Sequence, residues 1–142
     1  MKKLTKEDLT ADPDIENAYQ SSLTIKGLNI EVFIDPDDAE LEKTIELANK
    51  IMGNFEFYEA NARKKIIDEY LDIYNETWRD EEKGDPKLDK KAFCENLTLS
   101  SISFISDSSI DFCYSENGMF GSHWLIAQSF DGEKFDYATM FG

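Results

Sequence analysis

The sequence has few of the residues that build metal, redox and nucleophilic sites. Histidine occurs once, at His123, and the two cysteines are Cys94 and Cys113. Zinc sites need Cys or His in close pairs, and phosphate-binding loops need the G-x-G-x-x-G or G-x-x-x-x-G-K-[ST] pattern. Because both signatures are missing, we predict no metal and no cofactor. Two cysteines without a secretion signal are typical of reduced thiols, which predicts a cytoplasmic location.

Positive charge and long apolar runs are also scarce. The chain has 15 basic and 30 acidic side chains, for a net charge of -15. Such a chain repels phosphate backbones, which argues against nucleic-acid binding. No apolar run approaches the ~20 residues of a membrane span, so we predict no membrane insertion. The acidic excess favours a partner with a basic surface, although solubility alone also explains it.

Large apolar side chains are nevertheless abundant. The chain of 142 residues is 41% hydrophobic and 13% aromatic. This length and composition predict one folded domain over residues 1–142. The polar N-terminal segment 1–17 is expected to be loosely ordered.

The first half of the chain changes from a strand pattern to a helix pattern. Residues 18–25 and 28–34 alternate around Lys26–Gly27, which predicts a hairpin. Asp35, Pro36, Asp37 and Asp38 are expected to open a first helix, because proline and acids suit a helix start. Gly53 ends that helix, and a second helix follows from residue 54 to about residue 78.

The second helix has an apolar stripe and a charged face. The stripe is expected to be core and consists of Tyr58, Ala62, Ile66, Tyr70, Tyr74 and Trp78. On what we predict to be the outer face, three pairs of opposite charge lie four residues apart, a spacing that stabilises helices. They are Glu59–Arg63, Lys64–Asp68 and Lys65–Glu69.

The second half of the chain has one short helix and then strands. Asp89 is a suitable N-cap for the helix. The apolar parity switches between Leu99 and Ile102, which predicts a bulge. Turns are expected near residues 107–108 and 117–118, and Asp131–Gly132 predicts a tight hairpin. The fold class is therefore α+β, with an antiparallel sheet of about six strands. It consists of an N-terminal hairpin, three helices packed on one face, and a C-terminal four-strand meander.

His123 has two interpretations. As a general base it would need a nucleophile, for which Cys113 and Ser122 are candidates, and a carboxylate to orient its ring. No hydrolase signature surrounds these residues. The other interpretation is architectural: a histidine at a strand start whose ring binds a loop carbonyl.

Met119 and Phe120 form an apolar pair in the glycine-flanked loop 118–121. Such a pair either folds back onto the sheet or projects as an anchor for a partner. The sequence leaves both alternatives open.

The C-terminal half resembles a known family. The similar stretches are Phe-Cys-Glu-Asn-Leu-Thr-Leu-Ser-Ser-Ile at 93–102, Gly-Met-Phe-Gly-Ser-His at 118–123, and the Asp131–Gly132 turn. They resemble the bacterial family catalogued as domain of unknown function 2262, over roughly residues 66–142. That family has Phe-Trp-Gly-His, whereas here Ser122 separates the glycine from the histidine. The resemblance implies this fold and a bacterial cytosolic setting, and it implies no activity.

These features favour a non-enzymatic protein–protein interaction module. A concrete form is an immunity-type protein that covers a basic partner, with Met119, Phe120, Asp37 and Asp38 as contact residues. The alternative is a small hydrolase-like enzyme that uses His123 with a nearby Cys, Ser or carboxylate. The sequence does not set the oligomeric state.

Overall fold

A computed structural model describes residues 3–142, in which one sheet of seven strands is built in chain order. The strands are β1 Thr10–Ala11, β2 Tyr19–Ile25, β3 Leu28–Asp35, β4 Thr98–Ile105, β5 Ser109–Ser115, β6 Trp124–Ser129 and β7 Tyr137–Phe141. The helices are α1 Leu41–Met52, α2 Phe55–Ile73 and α3 Lys90–Glu95. A 3-10 turn, Lys6–Asp8, precedes β1, and a π-helical turn, Tyr74–Trp78, extends α2.

All neighbouring strands are antiparallel except β3 and β4, which are parallel. A parallel pair needs a long crossover connection, and here the three helices supply it. The predicted α+β class, N-terminal hairpin and four-strand meander are confirmed. The sheet has seven strands instead of about six, because Thr10 and Ala11 pair with β2 within the segment expected to be loosely ordered.

Side chains alternate between the two faces of the sheet, and one face is the core. Its fully or almost fully buried residues are Ile30, Val32, Ile34, Leu99, Ile102, Phe104, Ile110, Phe112, Tyr114, Leu125 and Ala127. They share one hydrophobic cluster with Leu47 and Ile51 of α1 and with Ala62 and Ile66 of α2. Removing this apolar area from water is the main force that holds the helices on the sheet. The residues between them on the strands are half-buried or exposed, and we call their side the open face.

Two local predictions are confirmed and one is wrong. Asp89 accepts a hydrogen bond from the Ala92 N–H at 2.8 Å and caps α3, and the β4–β5 register shifts between Leu99 and Ser101, as a bulge requires. However, α1 begins only at Leu41. Asp37 and Asp38 therefore precede the helix, in a turn where the Asp37 N–H donates to the Asp35 side chain at 3.1 Å.

The tight hairpin predicted at Asp131–Gly132 is also wrong. β6 ends at Ser129 and β7 begins at Tyr137, so residues 130–136 form a longer connection. The Asp131 carboxylate accepts two backbone N–H groups of this loop, from Glu133 and Lys134, each at 2.8 Å. Phe135 turns inward onto Phe112 with ring centroids 5.1 Å apart, so its apolar side chain belongs to the core and not to a strand.

Candidate functional site

The loop between β5 and β6 is held by the buried side chain of Glu116. Its carboxylate accepts hydrogen bonds from the N–H groups of Gly118, at 2.8 Å, and Phe120. The Asn117 amide donates to the carbonyl of Asn96 at 2.6 Å, which ties the loop to the end of α3. Hydrogen bonds to this carboxylate replace the hydrogen bonds to water that the loop N–H groups lose on folding. The loop is therefore a built element of the fold.

Phe120 lies inside the protein, with no exposed surface. Four aromatic rings surround it at centroid distances of 5.4 to 6.3 Å: Tyr70, Tyr74, Trp78 and Phe93. Of the two alternatives for this loop, the structure has the folded-back one. Phe120 is thus corrected from a contact residue to a core residue, because its ring has no surface to offer a partner. Met119 beside it is half-buried against the same core.

His123 braces this loop. Its Nδ1 atom lies 2.5 Å from the carbonyl oxygen of Phe120. A carbonyl oxygen only accepts, so Nδ1 carries the hydrogen and donates. The other side of the ring meets Trp78, with centroids 5.7 Å apart. Among residues 3–142 no carboxylate is hydrogen-bonded to His123, and the contacts it does make are those of the architectural interpretation.

The sheet separates His123 from Cys113. The histidine contacts Trp78 in the helix layer, whereas Cys113 lies on the open face of β5, opposite Ser101 and Ile126. Burial raises the pKa of the Cys113 thiol, which makes the reactive thiolate scarcer. Ser122 is exposed in the loop, with a positive φ of 78°. The structure therefore does not assemble His123 and Cys113 into a nucleophile–base pair.

Asp111 is a half-buried acid on the same open face. Burial raises the pKa of its carboxyl group, and the hydrogen bond from the Gln128 amide at 3.3 Å lowers it by less. Because the pKa of Asp111 is higher in the folded protein than in the unfolded chain, the unfolded chain loses this proton at a lower pH. The protein is therefore destabilised by this group as the pH rises above the ordinary pKa of a carboxyl group.

Replacing the charge should therefore stabilise the protein at neutral pH. We expect Asp111→Asn to raise the free energy of unfolding at pH 7, and to raise it by less in acid, where Asp111 is itself neutral. Urea unfolding at the two pH values measures this difference. Asp107→Asn on an exposed turn is the control, and an equal gain from both variants would contradict the burial explanation.

Arg63 belongs to a partly buried polar cluster and not to the solvated face that the sequence predicts. Its Nε donates to the Glu59 carboxylate at 2.6 Å, and its Nη1 donates to the carbonyls of Cys94 and Leu97. The hydroxyl of Tyr114, near the end of β5, donates to the same carboxylate. The predicted pair Lys64–Asp68 lies on the exposed side of α2, whereas Lys65 of the pair Lys65–Glu69 has only 25% of its side chain exposed. Because Arg63 holds the end of α3 against α2, this cluster is structural.

Four loops meet at one end of the sheet, because β2 begins beside the end of β3 and β5 begins beside the end of β4. The Ser106 N–H also donates to the Asp35 carbonyl at 2.8 Å, which joins two of these loops directly. We call this region the acidic end. Its acidic residues are Asp12, Asp14, Glu16, Asp35, Asp37, Asp38, Glu40, Asp107, Asp131, Glu133 and Asp136, and Lys134 is the one basic residue of the same loops.

A cleft of about 230 Å³ opens at the acidic end. Its apolar lining includes Ile15, Phe33 and Ile105, and the acidic residues Asp12 and Asp35 also line it. Within the described chain, 3–142, no Lys or Arg forms an ion pair with either of these carboxylates. Ile15 is half exposed, at 52%.

Sequence reasoning proposed Asp37 and Asp38 but missed the cleft beside them. Asp12 and Ile15 lie in the segment expected to be loosely ordered, and their approach to Phe33 depends on the β1–β2 pairing. The alternation of Asp12, Asp14 and Glu16 was the available signal. It indicates charge but gives no sign of an apolar floor.

Neither a metal site nor a membrane-spanning helix occurs within the described residues. Within 3–142, no group of three or more His, Cys, Asp or Glu side chains is placed to hold a metal ion. No helix in that range has the length and apolar content to cross a membrane.

Comparisons with other proteins give one match. No curated protein and no solved structure matches the chain. A family model described as "Uncharacterized protein conserved in bacteria (DUF2262)" matches residues 8–140. The match extends beyond the predicted resemblance at residues 66–142 and takes in the N-terminal hairpin and α1. The chain therefore belongs to this bacterial family, DUF2262.

Proposed function

We propose that the protein is a non-enzymatic interaction module whose acidic end binds the basic surface of a partner protein. The observation that carries the proposal is that acids from four loops lie at one end of the sheet, where Asp12 and Asp35 line an apolar cleft. A cytoplasmic immunity-type protein that covers a basic partner is the concrete form. The free thiols of Cys94 and Cys113 are compatible with a reducing compartment.

The chemistry of the cleft suits a lysine or arginine side chain from the partner. Such side chains bury an aliphatic stem against apolar surface and keep the charged head at the edge. Here Phe33 and Ile105 would contact the stem, and the carboxylates of Asp12 and Asp35 would receive the head. The exposed carboxylates of Asp37 and Asp38 extend the negative surface, and opposite charges of this kind accelerate encounter.

The contact residues differ from those expected for an apolar loop anchor. Met119 and Phe120 lie in the β5–β6 loop, at the opposite end of the sheet from the acidic end. The proposal therefore retains Asp37 and Asp38 and adds Asp12, Asp35 and Ile15.

A neutralised variant tests the proposal against a control with the same net charge. The test variant combines Asp14→Asn, Glu16→Gln, Asp37→Asn and Asp38→Asn. Asparagine is tolerated at Asp37, whose φ is 53°. The control combines Asp72→Asn, Glu76→Gln, Glu82→Gln and Glu95→Gln, all exposed and outside the acidic end. Each variant has four fewer negative charges than the wild type.

Each protein is immobilised and exposed to lysate of its native bacterium, and captured proteins are eluted with salt and identified by mass spectrometry. We expect a basic partner whose capture falls at least about tenfold in the test variant and changes little in the control, because only the former removes complementary charge at the site. Equal losses from both variants would indicate nonspecific charge attraction. That result, or the absence of any basic partner, would overturn the proposal.

A further inference from the structure

The outer edge of β7 is an unprotected sheet edge. β7 is the last strand of the sheet, so its backbone pairs with β6 on one side only. Its five residues, Tyr-Ala-Thr-Met-Phe, include no charge and no proline. Edge strands are usually protected by shortness, by lysine or by proline, because unpaired N–H and C=O groups attract another strand. The opposite edge shows such protection, since β1 is two residues long.

Exposed aromatic side chains lie beside this edge on the open face. Trp124 is 40% exposed, and its cross-strand neighbour Phe141 is 66% exposed. Phe130 and Tyr137 are 55% and 56% exposed, and their rings pack edge to face at 5.2 Å. We call these four residues the edge patch. Clusters of exposed aromatic side chains are more common at interaction surfaces than on the rest of a protein surface.

We propose that a second copy of this chain covers this edge, with its β7 antiparallel to the first. A two-fold axis at Thr139 places Thr139 opposite Thr139 and Tyr137 opposite Phe141 of the second copy. Thr–Thr and aromatic pairs at directly opposed positions stabilise antiparallel strands. A two-fold interface of this type closes on itself, so the product is a dimer with one continuous sheet.

The distribution of charge permits a second copy in this orientation. Two chains of net charge -15 repel each other at most contacts, but β7 brings no charged residue of its own to the pairing. In the same register Asp136 falls opposite Gly142 of the second copy, so no acidic side chain of the loop faces another. Tyr137 begins β7 at the acidic end, and antiparallel pairing therefore directs the two acidic ends away from each other. A basic partner, by contrast, would find no complementary charge on this strand.

One exposed threonine on each edge strand provides a matched test. The variants are Thr139→Lys on β7 and Thr10→Lys on β1, which change the net charge equally. The molar mass of each purified protein is measured by light scattering after size exclusion, with circular dichroism to check folding. We expect the wild type and Thr10→Lys to be dimers. Thr139→Lys is expected to be a monomer, because two lysines would meet at the two-fold axis.

A wild-type monomer at micromolar concentration would overturn the proposal, because a second copy would then not bind the β7 edge. A folded Thr139→Lys dimer would overturn it as well, because the interface would then lie elsewhere. If Thr139→Lys fails to fold, Tyr137→Lys tests the same pairing from another exposed position. The molar mass is measured on the purified protein without a partner, so the result is independent of partner capture.

Discussion

Phe120→Ala is expected to lower the free energy of unfolding by about 3–5 kcal/mol, the range for a phenylalanine removed from a core. The ring is completely buried, and Tyr74 and Trp78 contact it at centroid distances of 5.7 and 5.4 Å. Truncation would leave a cavity that these large rings cannot fill by small movements. It would also remove the edge-to-face contacts that aromatic clusters add to burial.

Urea unfolding followed by circular dichroism measures the loss. Met119→Ala is the matched control, because Met119 is the preceding residue of the loop but is only half-buried. We expect its cost to be well below that of Phe120→Ala. Should Phe120→Ala cost less than about 1 kcal/mol and still abolish partner capture, the ring would be a binding anchor that leaves the core in solution.

The elements of this fold are predictable from the sequence because their signals are local. The alternation in β2 and β3, the 3.6-residue stripe of α2, the Asp89 cap and the parity switch in β4 each depend on side chains a few residues apart. These signals specify which side of an element faces the core. The order of elements then limits the topology, because consecutive strands in a meander pair with each other.

The features that the sequence does not predict depend on long-range contacts. β1 exists because Thr10 and Ala11 reach β2, and two residues carry no periodic signal. Residues 130–136 form an open loop because Phe135 packs against Phe112, which lies 23 positions earlier in the chain. The cleft at the acidic end likewise combines Ile15 with Ile105. Local spacing can supply the charges of such a site but not its shape.

The environment of Arg63 likewise cannot be predicted from local spacing. The i, i+4 pair Glu59–Arg63 has the same spacing as Lys64–Asp68, and spacing alone gives both the same solvated interpretation. In the structure Arg63 is largely covered, with 22% of its side chain exposed, and the guanidinium carbon lies 5.0 Å from the Tyr114 ring centroid. Burial and the nearby Glu59 carboxylate also raise the pKa of the buried Tyr114 hydroxyl well above its usual range.

We expect Arg63→Ala to lower the free energy of unfolding by about 3 kcal/mol. The substitution leaves the Glu59 carboxylate without its cation, and it leaves the carbonyls of Cys94 and Leu97 without their donor. A covered charge or acceptor that loses its partner costs far more than an exposed ion pair contributes. The effect should be concentrated where α3 meets α2, so backbone amides of α3 should exchange hydrogen faster than those of β5.

Lys64→Ala is the control, because it breaks a pair of the same spacing on the exposed side of the same helix, for about 0.2–0.5 kcal/mol. Hydrogen exchange and urea unfolding of both variants compare the two positions directly. Equal small losses would mean that water takes the place of the Arg63 guanidinium. The cluster would then belong to the solvated surface, as the i, i+4 spacing of Glu59 and Arg63 predicts. A large loss for Arg63→Ala alone would establish that adjacent positions of one helix can hold a structural cation and a solvated one, a difference set by the strand packed beneath Arg63.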